Sequence, residues 1–317
     1  MSTTGLTPAL PAPPGGAAAV LATAAAPAPA AAAPAVTSSD QPRRRPFTQA
    51  DRPLVAGGLF LGFFLVVVVP ALLMALWSVA ERWAPPDLVP QSYTMAHWHK
   101  VTDDAGIFRA LLNSTLIAVA VTALTSVIAL PTAWALARFP FRLKRLVEIL
   151  VLAPVIVPGL IVAVGVGQVF LFLGLAYSVT GVILVQLVGT LPFMIRLMAA
   201  AFSAIPDDLI HAARALGARP HRILLHVVLP LAVPGLLAGG LLSFVGSFEE
   251  FDKSFIVGAP VVETLPIKLY TFLDPYSLQF PTAAVVALVL LVPVLVIFVL
   301  AGRIMRDDLL SAGMGKV

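Results

Sequence analysis

An all-α membrane protein with six transmembrane helices is the fold class the sequence predicts, on three observations. Of 317 residues, 59% are hydrophobic and only 11% are charged, whereas a soluble domain carries about a quarter charged residues. The apolar residues collect into six runs, each long enough to place about 20 helical residues across a hydrocarbon core of roughly 30 Å. These runs lack period-2 alternation and are too long for the strands of a membrane barrel.

Residues 1–50 are dominated by Ala, Pro, Gly, Ser and Thr, with Asp40 as the one acidic residue and Arg43, Arg44 and Arg45 near the end. Such a composition cannot bury enough apolar surface to fold, so the segment is expected to be a disordered tail. No basic start precedes its alanines and recurring prolines interrupt them, which argues against a signal peptide. The membrane domain then occupies 51–306, with spans near 54–79, 110–137, 146–173, 180–200, 231–257 and 282–302; residues 307–317 are left as a short second tail. Between the first two spans, 84–108 carries His97, Trp98 and His99 and is expected to lie along the membrane surface with its aromatic groups at headgroup level. The His pair lacks a third ligand at a sensible spacing, so no metal site is expected. Pro154, Pro158 and Gly159 interrupt the third span, where neighbouring helices would have to satisfy the freed backbone groups, and a fixed kink is expected. The chain has no cysteine, which excludes disulfides and thiolate chemistry. No internal repeat is evident, which argues mildly against the inverted-repeat secondary transporters.

Orientation follows from the cations, because Lys and Arg are retained on the cytoplasmic side. With the chain starting inside, 15 of the 20 Lys and Arg residues fall inside, and Arg82, Lys100, Arg109, Lys253 and Lys268 fall outside. Both termini are therefore expected to be cytoplasmic. The net charge of +4 is mostly this topology signal and needs no nucleic-acid partner to explain it.

The segment 203–230 interrupts two apolar runs with basic, amphipathic sequence. Pro206, Asp207 and Asp208 read as a helix start, with carboxylates near the positive end of the helix dipole. Gly217 is a natural stop, and Pro220 can open a second short helix running to Leu229. Ala212 and Ala213 leave the side of the first helix thin enough for close approach of another protein, while Arg214, Arg219 and Arg222 hold the segment in water or at headgroups. Taken alone, these residues fit either a docking element or an ordinary basic loop between membrane helices.

The stretch His211-Ala212-Ala213-Arg214-Ala215-Leu216-Gly217, followed after nine residues by Val227-Val228-Leu229-Pro230, resembles the cytoplasmic coupling loop of binding-protein-dependent ABC importer permeases. That pattern runs Glu-Ala-Ala, three residues, Gly, nine residues, an aliphatic, any residue, Leu-Pro. His211 departs from it, standing where that pattern has Glu, so this chain has no carboxylate at that position. The resemblance extends over 93–302, through Leu111-Leu112-Asn113-Ser114, Ala135-Leu136-Ala137-Arg138, Pro154 and Pro158-Gly159. It implies a type I ABC importer (MetI-like) permease fold in the bacterial inner membrane. It also implies as partners a second permease subunit, two ATP-binding cassette subunits and an extracytoplasmic solute-binding protein. The coupling-loop residues would be His211, Ala212, Ala213, Leu216, Gly217, Leu229 and Pro230.

The chain's own chemistry agrees with a subunit driven by others. No Gly-x-x-x-x-Gly-Lys-Ser/Thr phosphate loop, Gly-x-Ser-x-Gly elbow or His-Glu-x-x-His pair is present, so no catalytic residue, metal or bound cofactor is expected and ATP would be used by the partner subunits. The most charged stretch at membrane depth is Ser247 to Phe255, whose carboxylates Glu249, Glu250 and Asp252 form a candidate cargo pathway, because charges there usually face a cavity or a partner. Interfacial salt bridging is the competing role. Glu249 and Lys253, four residues apart, are expected to neutralise one another, which leaves Glu250 as the first candidate. Asn113 is a further pathway candidate, with hydrogen bonding between helices as its alternative role. The same stretch and Thr264-Leu265-Pro266 resemble the second permease subunit of spermidine/putrescine importers, which implies a small organic cation as cargo. Permeases for ferric iron, sulfate, thiamine or phosphonate belong to the same superfamily and are the alternative cargoes. A secondary transporter would need coupling-ion residues of its own, and a membrane enzyme a polar catalytic set at one membrane face.

Overall fold

The structure is a computed structural model that describes residues 52–83, 86–276 and 278–314, with side chains described from 55 to 303 within those ranges. The tail expected over 1–50 lies outside the described residues. Residues Gly58–Val317 form one compact unit.

Helix α1 (Arg52–Ser78) is followed by a small antiparallel hairpin, β1 (Ala80–Arg82) and β2 (Ser92–Tyr93), and by helix α2 (Ala96–Asp103). Nearly every side chain of α1 from 58 to 75 is exposed, as expected of an apolar helix that meets lipid or another subunit. Trp77 at its end stacks on Trp83 with ring centroids 4.5 Å apart. The segment around His97 to His99 is the helix α2: Trp98 Nε1 donates to Ser78 Oγ at 3.3 Å and His97 Nδ1 lies 3.4 Å from Thr282 Oγ1. Among the described residues no group of three metal-ligating side chains forms.

Three long helices make the core: α3 (Ala105–Arg138), α6 (Val179–Ala204) and α9 (Leu229–Phe248). Asp104 starts α3 by accepting the amides of Gly106 and Ile107 at 2.7 and 3.3 Å, two donors that have no partner inside the helix. Buried residues recur along α3 at 107, 110, 114, 117, 121, 125, 129 and 133, steps of three or four that keep one face turned inward. Lipid tails are as apolar as Leu, so close packing and polar contacts must hold such helices together. Two glycines one helical turn apart, Gly235 and Gly239, let α9 approach α6: a Cβ on either would collide with Ala201 or with the sulfur of Met194. Thr125 and Thr190 hydrogen-bond between α3 and α6 at 2.9 Å. Helix α12 (Phe280–Met314) completes the set and continues past 306.

Two expected spans differ in form. Five helices are long and apolar enough to cross a membrane, and the sixth run, expected as one kinked span over 146–173, is two helices, α4 (Lys144–Ile156) and α5 (Gly159–Phe172), bent by 103°. Pro158 has no amide to continue α4 and drives Val157 into extended backbone (ψ 130°), so the chain turns sharply there. The span expected over 231–257 runs instead over Pro220–Phe248. The short helix expected from Pro220 to Leu229 is no separate element: helix α8 (Pro220–Ile223) passes through a π turn (Leu224–Val228) into α9. Pro230 cannot donate to the carbonyl four residues back and would crowd it; in the π turn the Leu229 amide reaches Leu224 O instead. At the other end α9 stops at Phe248, and helix α10 (Asp252–Gly258) starts anew after Glu249, Glu250 and Phe251. Helix α11 (Leu265–Thr271) leads back to α12.

Candidate functional site

Between α6 and α8 lies helix α7 (Asp207–Ala215), with Asp207 and Asp208 in its first turn and Arg214 in its last, both favourable in the helix dipole. Its end is closed by a pair of bonds: Gly217 N donates to Arg214 O at 2.9 Å and Ala218 N to Ala213 O at 3.1 Å. That closure requires a left-handed residue, and Gly217 supplies it with φ +79°. Ile210 is 5% exposed and anchors α7 to a core cluster that includes Phe202, Ile223 and Val228. His211, Ala212, Leu216 and Gly217 face outward, with Leu216 89% exposed, while Ala213 and Leu229 are half-buried and Pro230 is exposed on α9.

The two helix breaks, at 157–158 and 249–251, face a common cavity of ≈ 380 Å³. Val157 and Gly159 line it from one break, Glu250 and Lys253 from the other, and Gln186, Gly189 and Thr190 from α6. Irregular backbone at membrane depth is tolerated where protein or a water-filled cavity surrounds it. Lys253 is 7% exposed, and its ammonium lies 2.5 Å from Glu250 Oε2. Glu250 Oε1 also accepts the Lys253 amide at 3.1 Å, satisfying a first-turn donor of α10. The Lys253 stem crosses α6 at Gly189, where a Cβ would stand 3.5 Å from both Cε and Nζ. Beside it, the buried Gln186 donates to Ser254 Oγ at 2.8 Å and accepts a short hydrogen bond from Ser247, which ties α6 to α9 and α10.

These contacts correct the expected pairing. Lys253 neutralises Glu250 rather than Glu249, because the helix breaks between them and the three-residue offset brings Glu250 round to the ammonium. Glu250 is therefore in the cavity but not a free carboxylate. Glu249 is exposed and lines a separate cleft with Phe251, Pro266 and Tyr270. Asp252 starts α10 half-buried and faces the start of α5: a Cβ at Gly159 would stand 3.4 Å from its Oδ2 and 3.8 Å from Lys253 Nζ. Asn113 lies apart from this group, and its amide nitrogen donates to Glu263 O at 3.0 Å; the neighbouring Ser114 Oγ accepts the Leu265 amide at 2.8 Å, so together they fasten the start of α11 to α3. Gln186 and Thr190 lie outside the stretch that the sequence marks, although a Gln inside an apolar run is an available signal, whereas Ser247, Lys253 and Ser254 lie within that stretch and serve the cavity alongside its carboxylates.

Residues 126–307, more than half of the chain, match the model of a family described as the binding-protein-dependent transport system inner membrane component. The sulfoquinovosyl glycerol transport system permease protein of Agrobacterium fabrum is 28% identical over 82% of this chain and 90% of its own length. The spermidine/putrescine transport system permease protein of Escherichia coli (strain K12) is 26% identical over 80% and 95%. Among solved structures, a chain of a bacterial ABC transporter involved in the import of the acidic polysaccharide alginate superposes with a TM-score of 0.64 at 19% identity, over 81% of this chain and 98% of that one, and supports the fold alone. The chain belongs to the binding-protein-dependent inner membrane component family and is a non-catalytic permease subunit of an ABC importer, in which a separate subunit hydrolyses ATP.

Proposed function

We propose that this permease forms half of a solute pathway that runs past the cavity between the two helix breaks, and that the α7–Gly217 turn receives an ATPase subunit. In this arrangement the basic end of the bundle and both termini are cytoplasmic, a second permease completes the pathway, two ATPase subunits sit below it and a solute-binding protein docks on the far side. The observation that carries the pathway is the meeting of two interrupted helices around one cavity whose mostly apolar wall holds Gln186, Thr190, Glu250 and Lys253, because a path through apolar helices needs backbone and side-chain polar groups that a continuous span hides.

The cargo is a small polar organic solute, with putrescine or spermidine as the first class to test. With Glu250 neutralised by Lys253, the polyamine reading rests on Asp252 at the cavity edge and on Glu249 outside it, together with the spermidine/putrescine relative. A second reading, an uncharged hydroxylated solute, is favoured by the neutral Lys253–Glu250 pair beside Gln186 and Thr190. Uptake of labelled spermidine and of a labelled glycoside by cells carrying the complete transporter separates the two. Spermidine uptake that falls about tenfold or more in Asp252→Asn, as expected for loss of a charge-assisted contact, supports the polyamine reading. Glycoside uptake without spermidine uptake eliminates it and leaves the pathway intact.

A further inference from the structure

We propose that Arg138 is the positioning residue that makes α7 move as one body with the membrane helices; this rests on the assignment of the α7 turn as the ATPase dock. Arg138 is the last residue of α3, and its side chain is 13% exposed. One terminal nitrogen, Nη1, donates to the carboxylate of Asp207, the first residue of α7. The other, Nη2, donates to Phe202 O and to Ile205 O, each at 2.6 Å. The guanidinium carbon lies 5.6 Å from the centre of the Trp134 ring, and Trp134 meets Phe202 edge-on at 5.3 Å. A single side chain thus joins the end of α3, the end of α6 and the start of α7.

The physical need for that joint is specific. The last carbonyls of a helix are left short of partners within it: the Ile205 amide reaches Phe202 O only at 3.3 Å, and Ile205 O, past the end of α6 at Ala204, needs an outside donor. Helix α7 is otherwise fixed by the apolar contacts of Ile210 and Ala213 and by the two-residue connection through Ile205 and Pro206. An apolar contact resists separation but sets no direction. The planar fork of an arginine does, because its donors leave in fixed directions and stack flat on an aromatic ring, and a lysine has neither property. Asp207 is 71% exposed, so its ion pair in isolation is worth little; its value is that it shares a rigid guanidinium with two buried carbonyl bonds.

The test uses the complete transporter reconstituted in vesicles, with the chain's lack of native cysteine allowing specific labelling. Spin labels at Ala215→Cys and Phe139→Cys, both exposed positions, report the distance from the end of α7 to the end of α3. With Arg138 present, one narrow distance is expected in both the nucleotide-free and ATP-bound states. With Arg138→Lys, which keeps the charge, the distribution should broaden or split on ATP addition, and stimulation of ATP hydrolysis by the purified solute-binding protein should fall roughly tenfold, the equivalent of one lost charge-assisted hydrogen bond. Asp207→Asn should give the same changes at smaller amplitude, and the double variant should add little, because both sit in one link. A narrow, unchanged distance together with unchanged stimulation in Arg138→Lys overturns the proposal. If Arg138→Lys does not assemble, Asp207→Asn decides by the same two readings. Failure of the dock assignment looks different: ATPase subunits would then copurify undiminished with a Leu216→Glu variant, whatever the Arg138 result.

Discussion

The α7 turn and the cavity lie at different places in the bundle and are built by opposite means. The turn is made of neighbours in sequence: Asp207 and Asp208 at its start, Gly217 at its stop and Pro220 opening the next helix, with closing bonds that span three to five residues. The cavity is made of residues far apart, with Gln186, Ser247 and Ser254 bonded across separations of 61 and 68 residues and Lys253 crossing α6 at Gly189. A surface that must be recognised by another protein can be specified locally, whereas polar groups buried inside an apolar bundle have to be satisfied by several helices at once.

Substitutions that separate local from distributed construction follow in order of expected cost. Lys253→Met leaves Glu250 half-buried without its counter-ion, and breaking a buried pair costs about 3–5 kcal/mol. Thermal unfolding of purified protein should show that loss, and adding Glu250→Gln should recover most of it. If the single variant is as stable as the parent, the pair does not hold the break together. Gly239→Val tests the α6–α9 contact by driving a side chain into Met194, and overpacking should destabilise by about 1–3 kcal/mol in the same measurement. Gly217→Val meets no neighbouring atom within 4 Å, so its cost is conformational, roughly 1–2 kcal/mol for a left-handed residue bearing a branched side chain. The protein should still insert, yet uptake should stop, because the displaced turn no longer seats the ATPase. Normal uptake in Gly217→Val would remove the turn from the mechanism. His211→Glu is the smallest change: the side chain is exposed, and stability should stay within about ±0.5 kcal/mol with uptake retained.

The same division explains what was legible in the sequence. The α7 helix, its acidic start and its glycine stop are written in consecutive residues, and so are the apolar runs behind α1, α3, α6 and α12. The 103° bend was legible only as an interruption, since Pro158 dictates a break but its angle depends on what α5 packs against. The expected end of the fifth span lies too late because apolar residues resume at Phe255 to Val257 beyond the charged stretch, whereas the helix stops at Phe248, ahead of Glu249 and Glu250. The pairing of Lys253 was misjudged for the same reason: a four-residue spacing predicts a contact only on an unbroken helix, and here the helix is broken. The Gly235 and Gly239 pair was a readable signal for close helix approach and was passed over.

The docking turn and the orientation of the bundle both depend on which end meets the ATPase. Single cysteines at Leu216 and at Tyr276, 89% and 99% exposed, can be placed in a chain that has none of its own. Treatment of the assembled transporter with a short bifunctional thiol and amine reagent is expected to join Leu216→Cys to the ATPase subunit and to leave Tyr276→Cys unlinked to it. A cross-link to the ATPase from Tyr276→Cys, or its absence from Leu216→Cys in a transporter that still hydrolyses ATP, would contradict the docking turn and the orientation together.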